Sequence, residues 1–212
     1  MDTKKNTVFT IGHSVLPIEE FLEIVKTYKI DCIVDVRSTP YSKYAPQYNK
    51  ESLTETLSSQ KVRYLSMGKE FGARREEKEL YSKDGYLDFK KVRMSKSFLH
   101  GVERIKQGLD KGFVIALMCT EKNPVECHRT NMVAKGLHDN GIEIAHITHD
   151  KKIMTQQDIE KELLDKFFPE RHQISIFEEL EAPALTHVEM VEEAYARQNI
   201  EIGYRINSNM EE

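Results

Sequence analysis

The sequence predicts an α/β fold: a mainly parallel sheet of about five strands with helices on both faces. Two observations support this prediction. Short apolar segments alternate with amphipathic ones in the order β-α-β-α-β-α-β-α-β, which is typical of a parallel sheet covered by helices. The segments Asp31–Arg37 and Phe113–Met118 are almost continuously apolar, as strands buried on both faces are.

The first half of the chain is predicted to contain three strands and two helices. The run Val8–Gly12 is apolar and ends on a glycine, which indicates a strand. Behind Pro17, apolar residues recur at helical spacing over Ile18–Tyr28. After the strand Asp31–Arg37 come a loop over residues 38–50, a helix over Glu51–Ser59 and a third strand over Val62–Gly68.

The second half is irregular at first and then strongly patterned. Residues 69–96 predict a turn at 72–75, a charged helix around Glu76–Tyr81 and a Lys-rich connection. The elements that follow are a helix over Phe98–Leu109, the strand Phe113–Met118, a helix over Thr130–His138, a strand over Ile142–Ile147 and a helix over Gln156–Phe168. We therefore expect a core domain over residues 1–150. A helical and acidic C-terminal extension over residues 151–212 is expected to pack on this core or trail from it.

The composition, 39% hydrophobic and 31% charged, is that of an ordinary soluble protein. The apolar stretch Val114–Cys119 is far shorter than the ~20 residues that cross a bilayer. No apolar signal segment follows residues 1–6. Three cysteines in 212 residues favour a reducing compartment over a disulfide framework. We therefore expect a cytoplasmic protein with no membrane partner, and the oligomeric state is left open.

The charge is unevenly distributed along the chain. Residues 61–111 carry 14 Lys and Arg against 8 Asp and Glu, whereas residues 157–212 carry 5 against 14. The basic middle is suited to an anionic small molecule or a nucleic acid. It is equally compatible with a solvated surface, or with a face that lies against the acidic tail.

Polar residues follow four of the predicted strands at the point where each strand ends. They are Gly12-His13-Ser14, Asp35-Val36-Arg37, Cys119-Thr120-Glu121, and His146 with His149. Open α/β sheets bind ligands at the carboxyl ends of their strands. We therefore expect these side chains to share one site on that rim.

The segment Met118–Thr130 carries the sharpest pattern: a thiol at a strand end, a loop, and an arginine that opens a helix. Arg129 and the helix N–H groups favour an anion, with Thr130 beside them, and a positive environment activates a thiol. Cys119 is therefore a candidate nucleophile, and Glu121 and His128 are candidate acid–base residues. The competing interpretation makes Cys119 an inert buried thiol.

His13 follows a glycine at a strand end, which suits a general base, an anion donor or a cap for the next helix. Asp35 and Arg37 lie two residues apart on one side of a strand. Asp35 therefore orients Arg37 toward a ligand or serves as an acid–base residue, unless the two form a purely structural pair. Ser14 and Tyr41 complete the predicted substrate-binding residues, although a Tyr-rich loop often simply packs.

No organic cofactor is predicted, because the glycines are too sparse for a dinucleotide or Walker phosphate loop. Zinc is the alternative, with Cys119, Cys127, His128 and His13 as the four available ligands. Against it, the spacing between the two cysteines is wider than in a paired-cysteine knuckle, and adjacent Cys127 and His128 rarely reach one ion.

Together these motifs resemble the family known as domain of unknown function 488. The matching pieces are Thr10-Ile-Gly-His-Ser14, Val34-Asp-Val-Arg37 with Pro40, Pro46-Gln-Tyr-Asn49, and Cys119-Thr-Glu121 leading to Pro124 and Cys127-His-Arg129. The resemblance covers residues 8–150, and the segment Ile202-Gly-Tyr-Arg205 is similar to an extension of some members. It implies the α/β fold and a polar site but no particular activity.

Three functions are compatible with these residues. The first is an enzyme, a hydrolase or a transferase, that acts on an anionic small molecule, a nucleotide or a nucleic-acid end. The second is a non-catalytic module that binds nucleic acid or a phosphorylated ligand through residues 61–111, and whose binding weakens with salt. The third is a metal-dependent hydrolase.

Overall fold

The structure, a computed structural model, describes residues 6–171 and 185–206. Its centre is a six-stranded sheet in the order β3-β2-β4-β1-β5-β6. The strands are β1 (Thr7–Gly12), β2 (Cys32–Asp35), β3 (Arg63–Ser66), β4 (Ile115–Cys119), β5 (Glu143–Ile147) and β6 (Ile153–Thr155). The first five strands pair in parallel, and β6 pairs with β5 in the antiparallel sense. The predicted fold class is confirmed, with one strand more than expected.

Eight α-helices accompany the sheet in the described residues. They are α1 (Ile18–Thr27), α2 (Lys50–Ser59), α3 (Gly68–Phe71), α4 (Phe89–Met94), α5 (Lys96–Asp110), α6 (Lys135–Asp139), α7 (Gln156–Phe167) and α8 (His187–Ile202). The predicted charged helix around Glu76–Tyr81 is only a 3-10 turn, Lys78–Leu80. The predicted helix Thr130–His138 begins as a π-helix, Arg129–Ala134, which continues directly as α6. None of the described helices has the length and apolarity needed to cross a bilayer.

Helices cover both faces of the sheet, and their arrangement determines where a crevice forms at the ends of the strands. On one face, Phe21 of α1 and Leu53 of α2 are buried against β1, β2 and β4. On the other face, Phe98 of α5 and Leu137 of α6 are buried against the same strands. The connection from β2 therefore runs toward β3, while that from β4 runs toward β5 on the opposite face. Such divergence between neighbouring strands opens a crevice at their carboxyl ends.

The last two helices pack on each other and on the loop that follows β4. Ile159 and Leu163 of α7 share an apolar cluster with Val125 and with Tyr195 of α8. In addition, the side chain of Asn199 accepts from the backbone N–H of Phe89 at 2.8 Å and donates to the carbonyl of Leu87 at 2.8 Å. Residues 172–184 and 207–212, where much of the acidic extension was expected, lie outside the described residues, and the two-part division stays a prediction.

Candidate active site

A cleft of about 260 Å³ opens between the carboxyl ends of β2 and β4, at the divergence of their connections. Its lining includes Arg37, Arg74, Thr120, Glu121, His128 and Tyr204. The guanidinium of Arg74 lies over the ring of Tyr204, 5.2 Å from its centroid. Residues from the segment after β2, the segment after α3, the loop after β4 and the end of α8 thus surround one space.

Gly12 allows the loop after β4 to cross the end of β1. A Cβ atom on Gly12 would lie 1.8 Å from the carbonyl oxygen of Glu121 and 2.7 Å from Nη1 of Arg129. The two segments continue to pair beyond the strands, because the N–H of His13 donates to the carbonyl of Cys119 at 2.9 Å. Any side chain at position 12 would push the loop after β4 away from the end of β1.

Arg37 is held in place by a buried ion pair with Asp35. Its Nε and Nη2 atoms both donate to the carboxylate of Asp35, the shortest contact being 2.6 Å. Nη2 also donates to the carbonyl of Tyr48, and Nη1 donates to Nε2 of His13. A guanidinium has five N–H donors, so one hydrogen on Nη1 has no acceptor within the described residues and is available to a ligand. Asp35 accepts a further hydrogen bond, 2.7 Å long, from the hydroxyl of Tyr64.

The ring of His13 is neutral and fully hydrogen-bonded. Because Nε2 accepts from Arg37, the proton is on Nδ1, which donates to the carbonyl of Ser14 at 2.8 Å. Burial, and then the charge of Arg37, lower the pKa of His13 from 6.5 to about 4. The ring also stacks on Tyr48 with the centroids 4.1 Å apart. This arrangement favours a role in positioning Arg37 over a role as general base.

Four potential ligand atoms gather at the end of β4. Oε2 of Glu121 lies 2.8 Å from Sγ of Cys119 and 3.0 Å from Sγ of Cys127. Nδ1 of His128 lies 4.0 Å from Sγ of Cys127, and the four groups are all within 4.8 Å of one another. The objection that adjacent Cys127 and His128 rarely reach one ion therefore does not apply to this turn. His13, the fourth ligand considered from the sequence, bonds to Arg37 instead.

The electrostatics of this cluster differ between its thiol and its carboxylate. Burial raises the pKa of Cys119 well above its usual value, and the nearby charge of Arg129 only partly opposes that effect. Burial also acts to raise the pKa of Glu121, but the electrostatic interaction with His128 and the two thiol hydrogen bonds outweigh it and lower the pKa to about 2. Glu121 is therefore ionised at neutral pH, whereas Cys119 is a poor free nucleophile.

Arg129 is fully buried and connects the cysteines to the interior. Its Nη1 donates to Sγ of Cys119 at 3.0 Å and to the carbonyl of Glu121 at 2.6 Å. Its Nε donates to the hydroxyl of Thr10 at 3.3 Å, and that hydroxyl is 2.9 Å from Nδ1 of His146. Within the described residues no carboxylate lies at ion-pair distance from this guanidinium.

The other predicted substrate-binding residues are not part of the cleft wall. Ser14 is half-buried with a φ of 47°, and Tyr41 is 62% exposed on the loop after β2. Thr130, which follows Arg129, is buried, and its hydroxyl has no hydrogen-bond partner among the residues that the structure describes. The sequence did not single out Arg74 or Tyr204. The only indications of them were the Gly72-Ala-Arg-Arg75 turn and the similarity of the segment around Tyr204 to a family extension.

The fold and the cleft define a class of protein: an α/β domain with a polar site at the carboxyl ends of its parallel strands. The model of the family described as domain of unknown function DUF488 matches residues 17–135, more than half of the chain, and the chain belongs to this family. No curated protein and no solved structure matches the chain in the corresponding comparisons. The matched range includes Asp35, Arg37 and the cysteine motif, whereas His13 precedes it and Tyr204 follows it.

Proposed function

We propose that this protein is an enzyme that binds an anionic substrate in the cleft between β2 and β4. The observation that carries the proposal is the composition of the cleft wall, in which Arg37 and Arg74 face the same 260 Å³ as Glu121 and His128. Two cations attract an anion, while an imidazole transfers protons and a carboxylate orients neighbouring groups. The cleft thus contains groups for the two tasks of such an enzyme, anion binding and proton transfer.

Arg37 and Arg74 are suited to different tasks in binding. Arg37 is only 6% exposed and is held by Asp35 and His13, so it offers one N–H in a fixed direction. Arg74 is exposed and stacks on Tyr204, so it is free to close over a ligand. A cleft of this size accommodates a phosphate, sulfate or carboxylate group with part of what carries it. The substrate classes that fit are an anionic small molecule, a nucleotide and a nucleic-acid end.

His128 is the best candidate for proton transfer, because it reaches the cleft. Glu121 also reaches the cleft, but a carboxylate with a pKa of about 2 is a weak base at neutral pH, so its role is to orient neighbouring groups. Nε2 of His128 lies 3.2 Å from the carbonyl of Val36, to which it donates, and this leaves Nδ1 unprotonated in the neutral ring. Cys119 is a weaker candidate for nucleophile because it is fully buried and its pKa is raised. These roles favour hydrolysis or transfer in which water or the substrate supplies the nucleophile.

The non-catalytic binding module remains the second candidate, and one observation favours it. A larger cavity of about 970 Å³ shares Ser38 and Arg74 with the cleft and includes Lys69 in its wall. A polyanion bound at both sites would extend beyond the cleft. However, Arg104 pairs with Glu70 in this region, and Arg75 donates to two backbone carbonyls, so the free positive charge is small.

Anion binding by matched arginine variants tests the proposal. Arg74→Ala removes an exposed cation at the cleft, and Arg63→Ala removes an exposed cation at the amino end of β3. Calorimetric titration with inorganic phosphate and with nucleoside monophosphates is expected to show at least tenfold weaker binding in R74A and unchanged binding in R63A. Phosphatase, phosphodiesterase and nucleotidase assays on H128Q and E121Q then test catalysis. Equal anion affinity in R74A and R63A would contradict the assignment of the cleft.

A further inference from the structure

We propose that Cys119, Cys127, His128 and Glu121 form a tetrahedral zinc site at the carboxyl end of β4. The four side chains each contribute one ligand atom, and these atoms lie within 4.8 Å of one another. Metal–ligand bonds of about 2.0–2.3 Å place neighbouring ligand atoms of a tetrahedral zinc site roughly 3.3–3.8 Å apart. The two sulfur–oxygen distances of 2.8 and 3.0 Å are shorter than this spacing, and the other separations reach at most 4.8 Å, so the side chains must rotate to admit the ion.

The orientation of His128 is the one that a metal ligand requires. Its Nε2–H donates to the carbonyl of Val36, so the unprotonated Nδ1 points toward the side of Cys127. Metal-binding histidines almost always donate their other ring N–H to a carbonyl, a carboxylate or a water molecule. The backbone of β2 thus provides the outer partner that fixes this ring.

Arg129 supplies the charge that such a site needs. Two thiolates and one carboxylate carry three negative charges, which a divalent zinc ion and one guanidinium balance. Arg129 is fully buried without an ion-pair partner in the part of the chain that the structure describes, a costly arrangement beside neutral thiols. Its Nη1 donates to Sγ of Cys119 at 3.0 Å, and its backbone N–H donates to Sγ of Cys127 at 3.3 Å. Both sulfur atoms therefore receive hydrogen bonds that stabilise thiolates.

The donor set selects the metal. Two sulfur atoms and an imidazole suit zinc, whereas magnesium and calcium prefer sites built from oxygen atoms. An ion here would join the end of β4 to the π-helix that begins at Arg129, whether or not the neighbouring cleft is catalytic. Glu121 and His128 cannot both hold zinc and serve the roles proposed for them above, so bound zinc would replace those roles and leave Arg37 and Arg74 to bind the anion. Metal content tests the site separately from activity.

The test uses the full chain, produced without a polyhistidine tag and purified without chelator. Elemental analysis by mass spectrometry is expected to find about one zinc per chain. Cys119→Ser and Cys127→Ser are each expected to lose that zinc. Cys32→Ser is the matched control, because Cys32 is also a buried free cysteine but lies at the start of β2, away from the cluster. Zinc retained in both C119S and C127S would overturn the proposal.

A second measurement does not depend on the folding of cysteine variants. Wild-type protein is stripped with chelator under reducing conditions and titrated with Co²⁺, which is expected to give thiolate-to-cobalt charge-transfer absorption and tetrahedral ligand-field bands. Zn²⁺ should displace the cobalt at one equivalent. Glu121→Gln replaces the carboxylate ligand by an amide and is expected to bind Co²⁺ at least tenfold more weakly. Reduced, folded protein that binds neither ion, or that gives an octahedral spectrum without thiolate bands, would refute the site.

Discussion

Nε2 of His13 accepts a hydrogen bond from Nη1 of Arg37 at 3.0 Å, so a neutral imidazole contacts one side of a buried guanidinium. The contact requires a neutral ring, because a protonated Nε2 could not accept and would repel the guanidinium. The contact joins the residues that follow β1 to the residues that follow β2, across β4, the strand that lies between them. The protonation of His13 therefore affects both stability and the orientation of Arg37.

The first prediction is that stability falls as the pH falls from about 6.5 to about 4. Burial, with smaller effects from hydrogen bonds and charges, also lowers the pKa of His146 to about 4, as it does for His13. Between these pH values an unfolded histidine binds a proton that the folded ring excludes, so the free energy of unfolding rises with pH across that window. A shift from 6.5 to about 4 corresponds to roughly 3 kcal/mol for each histidine.

Urea unfolding measured from pH 4 to pH 8 checks this prediction. His13→Gln removes one of the two histidines and is expected to reduce the slope of the free energy of unfolding against pH below pH 6.5. His100→Gln, a change on the exposed surface of α5, should leave the slope as in the wild type. If the free energies of unfolding of wild type and H13Q change equally with pH, the folded protein protonates His13 as readily as the unfolded chain does.

The second prediction concerns the ion pair between Asp35 and Arg37. Asp35→Asn leaves a buried guanidinium without its counterion, which typically costs about 3–5 kcal/mol. Tyr64→Phe removes only one hydrogen bond to the same carboxylate, with an expected cost of about 1.5–3 kcal/mol. The free energies of unfolding of the two variants should therefore differ, with D35N the less stable. Anion binding should also be lost in D35N and preserved in Y64F, because only D35N releases Arg37.

How far the sequence could predict this site depends on which contacts are local. The strand-end motifs were sufficient to predict that His13, Arg37, Cys119 and Glu121 share one rim, since a parallel sheet brings all its carboxyl ends together. Whether Cys119 faces the cleft or the interior depends on how the loop after β4 crosses Gly12, a contact between segments more than 100 residues apart. Local patterns contain no information about such a crossing.

The features that were not predicted from the sequence depend on tertiary contacts. β6 has only three residues, too few for alternation to be visible, and it forms by pairing with β5. Tyr204 reaches the cleft because α8 is anchored through Asn199 to Leu87 and Phe89, contacts that no periodicity reports. The π-helical turn at Arg129 also differs from the predicted α-helix. Such turns are common at functional sites and depend on tertiary contacts.

The third prediction tests the crossing at Gly12. Gly12→Ala would place a methyl group 1.8 Å from the carbonyl oxygen of Glu121, so that the backbone of the loop must move. Overpacking of this kind costs about 1–3 kcal/mol or more, and here it should also weaken anion and zinc binding. Gly112→Ala is the control: its φ is +84° and a Cβ atom there would meet no atom of the described residues within 4 Å, so we expect a strain of about 1–2 kcal/mol and unchanged binding. Differential scanning fluorimetry and the two titrations separate these outcomes.

The last prediction concerns the buried hydrogen bonds that run from Arg129 to α8. The hydroxyl of Thr10 accepts a hydrogen bond from Nε–H of Arg129 and donates one to Nδ1 of His146. Nε2–H of His146 then donates to Gln156, whose amide donates to the hydroxyl of Tyr195. Each donor thus has one acceptor along the whole series, and Thr10 is the member that joins the two halves.

Thr10→Val keeps the shape of the side chain but leaves a buried donor on Arg129 and a buried acceptor on His146 without partners. Each unsatisfied group costs about 1–3 kcal/mol, so T10V should be destabilised by several kcal/mol. Tyr195→Phe leaves only one buried donor, the amide of Gln156, without its acceptor and is expected to cost about 1–3 kcal/mol, less than T10V. Denaturant unfolding compares the two variants, and ¹⁵N chemical shifts of the imidazole report the tautomer of His146. If T10V is no less stable than Y195F and its Nε2–H tautomer persists unchanged, the series does not act as a connected network.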